Sequence, residues 1–229
     1  MATFCLLHGN WHDASSWDPL LEPLRGHGHV VLAPDLILDD PEASFEERVG
    51  PAMGALEGTN GPIVIVGHSG SSGYAAFAAN ETPGSLLVYL CPRLAQVKPP
   101  DGAPAPFRKG LPMPPADEDG MVRWDPEAAI EAMYPRLPSE TARALARRLQ
   151  AGAPSIQHPL DGHPNVPTAL IYTTEDEFFE PEFQRFMARE ALGIEPIELP
   201  GGHFPMVEDP ERLAEVLDRL AREHQPTSG

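Results

Sequence analysis

The stretch Ile63-Val64-Ile65-Val66-Gly67-His68-Ser69-Gly70-Ser71 constrains the fold more than any other. Four consecutive β-branched residues leave no polar face for solvent, so residues 63–66 read as a strand covered on both sides, inside a parallel sheet flanked by helices. Residues 86–90 have the same character, and shorter β-rich runs fall at 3–7, 30–33, 168–172 and 196–198. Helical patterns separate them, at 17–25, 45–56, 73–80, 182–192 and 211–224. The last is marked by Asp209-Pro210, a cap followed by a first-turn proline, and by the apolar stripe Leu213, Val216, Leu217 and Leu220. This alternation predicts an α/β fold, a mostly parallel central sheet of about six strands with helices on both faces.

Residues 92–167 interrupt the pattern. They hold about half of the 28 prolines, and the clusters at 99–100, 104–106 and 112–115 forbid regular structure where they fall. Helical patterns follow at 126–133 and 139–151. The expected organisation is a core domain of residues 1–91 and 168–229 with 92–167 inserted between two strands as a Pro-rich helical cap. A linker between two domains is the weaker alternative, because one strand and two helices after Pro167 are too little for a second core. A chain of 229 residues, 41% apolar, accommodates one such domain with one insertion.

Charge and cysteine usage narrow the partners. The 34 acidic and 16 basic residues leave a net charge of -18, which repels phosphate backbones and anionic membrane surfaces, so neither nucleic acid nor membrane is an expected partner. Residues 1–9 lack a basic leader, and no apolar run approaches the roughly 18 residues of a membrane span. Cys5 and Cys91 lie in apolar runs without metal-ligand spacing, and a reducing cytoplasm is the default setting. His27-Gly28-His29, and His158 with Asp161 and His163, offer ligand types without zinc-like spacing, so no metal is expected. Oligomeric state is not legible; a homodimer stays open.

Four elements in chain order carry chemistry. A strand running through Gly67-His68-Ser69-Gly70-Ser71 into a helix suits a nucleophile elbow, in which a sharp turn exposes the serine hydroxyl and small residues must flank it two positions away. Ser71 stands where glycine is usual, so its hydroxymethyl either tightens the turn or adds a polar group beside it. Leu7-His8-Gly9-Asn10 ends the first strand in a glycine turn, from which the backbone N–H of Asn10 could join that of Gly70 in holding a developing oxyanion. Thr173-Thr174-Glu175-Asp176-Glu177 ends a strand in carboxylates, any of which could orient a histidine; Asp176 is the choice, Glu175 and Glu177 the rivals. Gly201-Gly202-His203 presents a histidine in the last strand-to-helix loop, giving the chain order Ser, Asp, His.

Together these stretches resemble the α/β-hydrolase superfamily, and within it the small-cap branch of plant methylesterases, hydroxynitrile lyases and related bacterial esterases. The matching segments are Leu7-His8-Gly9-Asn10-Trp11-His12 with Trp17, Val66-Gly67-His68-Ser69-Gly70, Leu87-Val88-Tyr89-Leu90, Pro181-Glu182-Phe183-Gln184, and Gly202-His203-Phe204-Pro205-Met206 with Asp209-Pro210. The resemblance implies a cofactor-free serine hydrolase acting on a small ester-like molecule, with Ser69, Asp176 and His203 as triad and Asn10 and Gly70 as oxyanion donors. Hydroxynitrile lyases of this branch carry lysine directly after the catalytic histidine; Phe204 stands here, which speaks against cyanohydrin cleavage. Lyase or perhydrolase chemistry on the same fold, and a silent ligand-binding relative, are the alternatives. Trp11, Phe178 and Phe204 are candidates to line the substrate pocket. Arg93, just past the 86–90 strand, is a candidate to meet an anionic group, since ligands in open α/β sheets bind at that edge.

Overall fold

The computed structural model describes residues 1–224. Strands β1 (Thr3–Leu7), β2 (Val30–Leu32), β3 (Ile63–His68), β4 (Leu86–Leu90), β5 (Thr168–Thr173) and β6 (Ile197–Leu199) form one parallel sheet in the order β2-β1-β3-β4-β5-β6. Successive side chains point to opposite faces, so each buried strand feeds two cores. Phe4, Leu6, Val64 and Val66 face one layer, with Leu20 and Leu24 of α1 (Asp18–Gly26) and Leu213 and Leu217 of α8 (Pro210–Glu223). Cys5, Leu7, Ile65 and Leu87 face the other, under Val49 and Leu56 of α2 (Phe45–Leu56) and Ala75 and Ala79 of α3 (Ser72–Asn80).

Element ends depart from the sequence pattern for identifiable reasons. β3 continues two residues beyond the apolar run, because Gly67 pairs with Leu7 on one side and Tyr89 on the other, and His68 pairs with Leu90. β6 begins at Ile197, after Pro196, which has no N–H to offer a ladder. A 3-10 turn, Ala14–Trp17, precedes α1 and starts on Asp13, whose carboxylate accepts from the Ser15 N–H. The helix expected over 182–192 divides into α6 (Pro181–Phe186) and a π-helical turn, Met187–Ala191. A short helix, α7 (Pro205–Glu208), lies between β6 and α8.

Residues 92–167 leave the sheet after β4 and return at β5. They carry α4 (Pro126–Met133) and α5 (Ser139–Ala146). The second was expected to reach residue 151. It stops five residues earlier because Gln150 N–H donates to Trp11 O (2.8 Å) and Gly152 exchanges two backbone hydrogen bonds with Val122 (2.8 and 2.9 Å), which draws the chain into an extended path. Among the described residues, no helix is long and apolar enough to cross a membrane.

Candidate active site

The strand order reverses between β1 and β3: the chain leaves β1 toward β2 and then returns to the opposite side of β1. A crevice opens at the carboxyl ends of strands flanking such a switch, and here those ends deliver Gly9-Asn10 from β1 and Ser69 from β3. Ser69 adopts φ 55°, a left-handed conformation costly for a residue with a Cβ. Small neighbours make the turn sterically feasible. A Cβ on Gly67 would collide with the Cβ of Ala75, and one on Gly70 would collide with the Asn10 side chain. Ser71 is fully buried, its hydroxyl lying 2.9 Å from both Leu7 O and His68 O. The single proton is shared between one carbonyl at the end of β1 and one of the turn, so the hydroxymethyl ties the elbow to β1 and presents nothing to the crevice.

Ser69 Oγ lies 3.0 Å from His203 Nε2, and His203 Nδ1 lies 2.9 Å from Asp176 Oδ2. Asp176 is fully buried and its carboxylate is saturated with donors. Oδ1 accepts from the N–H groups of Phe178 (2.8 Å) and Phe179 (2.9 Å), and Oδ2 accepts from Gln184 Nε2 (3.0 Å) as well as from His203. The two neighbouring acids point elsewhere. Glu175 is paired with Arg136 at the surface, and Glu177 accepts from the backbone N–H of His203 (2.8 Å), with burial pushing its carboxyl pKa up.

Three further histidines stand under the crevice, and their partners fix their tautomers. His68 Nε2–H donates to His203 O (2.8 Å), pinning the histidine loop to the elbow. His12 Nδ1–H donates to Asn10 O (2.8 Å), leaving Nε2 to accept from the Tyr134 hydroxyl (2.6 Å). His8 Nδ1–H donates to Gly9 O (3.1 Å), and its Nε2 accepts from Leu36 N–H (2.9 Å). Burial lowers all three pKa values, that of His12 to about 4 and that of His68 well below the usual imidazole range. Sequence reasoning assigned no role to His12, His68, Tyr134 or Gln184. Gln184, His12 and His68 sit in segments that carried the family resemblance, which was the available signal; Tyr134, 122 residues from His12, had none.

Asn10 and Gly70 face one another across the crevice mouth. Neither N–H donates in any loop or cap hydrogen bond among the described residues, and Gly70, second in the 3-10 turn Ser69–Ser71, has no partner from within that turn. No loop or cap acceptor among the described residues therefore competes for either N–H. Phe178 stacks on His203, with centroids 4.9 Å apart and planes at 29°. Trp11, at φ 66°, lays its indole over Gly152, where a Cβ would have no room.

The crevice has two lobes that share Asn10, Gly70, Arg93 and Ser155. One, of about 200 Å3, holds Ser69 among Trp11, Phe107, Phe178 and Phe179. The other, of about 320 Å3, runs past Arg93 to Arg48, Tyr74, Gln96 and His158. Residues 153–155 wall both. Phe204, expected at the pocket, reaches neither lobe. It is buried against His12, His68 and Tyr134 and borders only a crevice of about 10 Å3 behind Ser69, at the lower limit for one water.

Cys91, Asp176 and His203 each offer an atom within 4.8 Å of the others, the spacing of a metal cluster. The chemistry is unsuited to one. Burial holds the Cys91 thiol protonated by pushing its pKa well up, and Asp176 has its lone pairs engaged by four protein donors. Of the histidines named from sequence, His29 meets Ala2 N and Asp218, with His27 Nδ1 3.6 Å from the same carboxylate, while His158 goes to Gly73 O and His163 to Thr168 and Tyr89.

The family model described as alpha/beta hydrolase family matches residues 6–216. The chain is 25% identical to a pyrethroid hydrolase of Sphingobium wenxiniae, over 94% of this chain and 86% of that protein. It is 22% identical to Esterase PIR7B of Oryza sativa subsp. japonica, over 97% and 96% respectively. The crystal structure of a pyrethroid hydrolase from Sphingobium faniae superposes with a TM-score of 0.80 at 24% identity, covering 97% of this chain and 98% of that one.

Proposed function

The chain belongs to the alpha/beta hydrolase family, and from that premise we propose that it cleaves a small carboxylic ester or lactone through an acyl-enzyme on Ser69. The observation that carries this reading is the unbroken line from Ser69 Oγ to His203 Nε2 (3.0 Å) and from His203 Nδ1 to Asp176 (2.9 Å), on a serine held at φ 55°. The names of the two relatives, a pyrethroid hydrolase and an esterase, support ester cleavage.

Ser69 Oγ attacks the carbonyl carbon as its proton passes to His203 Nε2, and Asp176 stabilises the imidazolium and holds the tautomer that keeps Nε2 free. The N–H groups of Asn10 and Gly70 receive the negative charge that develops on the carbonyl oxygen, already oriented and so without reorganisation during the reaction. The tetrahedral intermediate collapses, and His203 returns the proton to the leaving alkoxide. Water then enters, His203 removes its proton, and the acyl–Ser69 bond is broken by the same two steps. Residues 92–167 act as the cap, supplying Phe107 and Ser155 to the walls around Ser69. Cyanohydrin cleavage gains no support, because the position after His203 is a buried phenylalanine rather than a cation.

A serine-directed fluorophosphonate with peptide mapping tests the assignment. Labelling is expected at Ser69 and is lost in Ser69→Ala, and His203→Ala loses at least about a thousand-fold in kcat. Labelling at another residue, or near-normal turnover in either variant, would sink it.

A further inference from the structure

The chain carries 34 acidic residues, yet neither lobe of the crevice is lined by a carboxylate. The charged side chains that do line it are two guanidiniums, Arg48 and Arg93. Arg48 is 2% exposed and donates to three backbone carbonyls, Ala43 O (3.0 Å), Pro154 O (3.0 Å) and Asp40 O (3.1 Å). Carbonyl dipoles take three of its five N–H groups but leave its charge uncompensated, and among the described residues it forms no ion pair. Arg93 likewise has no carboxylate partner there. Its side-chain hydrogen bond is a long one, Nη1 to Ser155 Oγ at 3.4 Å, and the rest of its fork is open to both lobes. In a molecule so acidic, two guanidiniums thus line the crevice with no lining carboxylate to offset them.

The reaction geometry says which part of a substrate meets that charge. The leaving oxygen must face His203 Nε2 to receive its proton. Phe178 and Phe179, whose rings pack on His203 at 4.9 and 5.4 Å, line the apolar lobe and not the other. The alcohol therefore lies in the apolar lobe. An acyl chain leaving in the opposite direction, past Asn10 and Gly70, would meet Arg93, which borders both lobes, and then Arg48, which lines only the larger one. The Arg93 backbone is itself anchored at the nucleophile, its N–H donating to Ser69 O (3.1 Å), so the start of its side chain is fixed relative to the reacting carbon.

We propose that the substrate is a half-ester, an apolar alcohol esterified to an acyl chain that ends in a carboxylate, with Arg93 forming a bidentate pair to that carboxylate and Arg48 adding a buried positive field behind it. This rests on the esterase reading above and specifies its substrate class. Hydrolysis adds one water and releases the free alcohol and a dicarboxylate, whose second negative charge is formed at Ser69, away from Arg93.

The test compares monobenzyl succinate, glutarate and adipate with benzyl butanoate, pentanoate and hexanoate, reading benzyl alcohol by chromatography in wild-type protein, Arg93→Met and Arg93→Lys. In wild type at least one half-ester should exceed its neutral counterpart in kcat/KM by about ten- to a hundred-fold, the range of a charge-assisted hydrogen bond, and mainly through KM. Arg93→Met should bring that ratio close to one, and Arg93→Lys, which keeps the charge without the fork, should restore part of it. A wild-type ratio of one or less, with benzyl alcohol still released, overturns the proposal and leaves the esterase reading standing. A preference that persists undiminished in Arg93→Met overturns the role of Arg93. If no ester of either kind is cleaved and fluorophosphonate fails to label Ser69, both readings fall together.

Discussion

Four non-glycine residues have positive φ among the described residues, Trp11, Ser69, Cys91 and Leu94, and all four lie just beyond the carboxyl ends of β1, β3 and β4. Such conformations cost on the order of 1–3 kcal/mol each and persist where surrounding contacts over-determine them. At Ser69 those contacts include the shared hydroxyl of Ser71 and the absence of a Cβ at Gly67. Gly67→Ala should therefore lower stability by about 2 kcal/mol or more, since the added methyl meets Ala75 in a fully buried layer with nowhere to move. Urea unfolding measures it, and an unchanged midpoint would mean the elbow is not held by packing. Much at this scale was legible in the sequence. Ser69, His203 and Gly70 stood out through the joint occurrence of four elements in order, since a glycine turn at a strand end is by itself commonplace. Asp176 was the choice with Glu175 and Glu177 as rivals, and no local pattern decides among them, because the outcome depends on the direction of three successive side chains as the chain turns away from β5. The orientation of Phe204 was equally hidden, since an apolar residue beside a catalytic histidine can face either the pocket or the core.

At the scale of elements, the sheet was the readable part. β1 and β4 have the bounds that their apolar runs suggest, and α2 and α4 have theirs, because the local pattern, the Ser44–Glu47 capping box and the Asp125-Pro126 start agree with the packing. Residues 92–167 resisted reading because their course is set by contacts with distant segments, such as Val122 with Gly152 and Gln150 with Trp11, rather than by any periodicity of their own. α6 shows how an element serves the site without touching substrate. It starts at Pro181 and so brings Gln184, fully buried, to the one oxygen of Asp176 that also holds His203. Gln184→Met removes that donor while keeping volume. The expected result is a loss of about ten-fold or more in kcat, from one hydrogen bond to a charged group, with KM little changed and the thermal midpoint within a few degrees of wild type. Steady-state kinetics beside a melting curve separate this from general destabilisation, in which kcat of the folded fraction would be retained.

Across the whole molecule, the floor of the crevice is a store of unprotonated imidazoles. His8, His12 and His68 are buried, and burial lowers each pKa. In the unfolded chain they take up protons near pH 6.5, whereas in the folded one His12 does so only near pH 4. The unfolded state therefore binds more protons between those values, and stability is fully present above about pH 6.5 and falls as pH drops toward 4. Glu177, with its raised pKa, acts in the opposite sense through one proton. His29 and His163, which burial also lowers, add to the histidine side, so the net slope keeps the histidines' sign. Urea midpoints from pH 7.5 down to 4.5 measure it, His12→Gln should remove about one proton from the slope, and a flat profile would show that these rings are accessible to protons in the native state.

The same floor gathers the three tryptophans of the chain. Trp11 lies 5.8 Å from Trp124 and 6.3 Å from Phe178, which stacks on His203, while Trp17 is 6.1 Å from His68. None of the indoles sits on a distant helix to dilute the signal. Ultraviolet emission from the intact protein is thus a local optical readout, in which ligand entry beside Trp11 changes the light emitted without any attached dye.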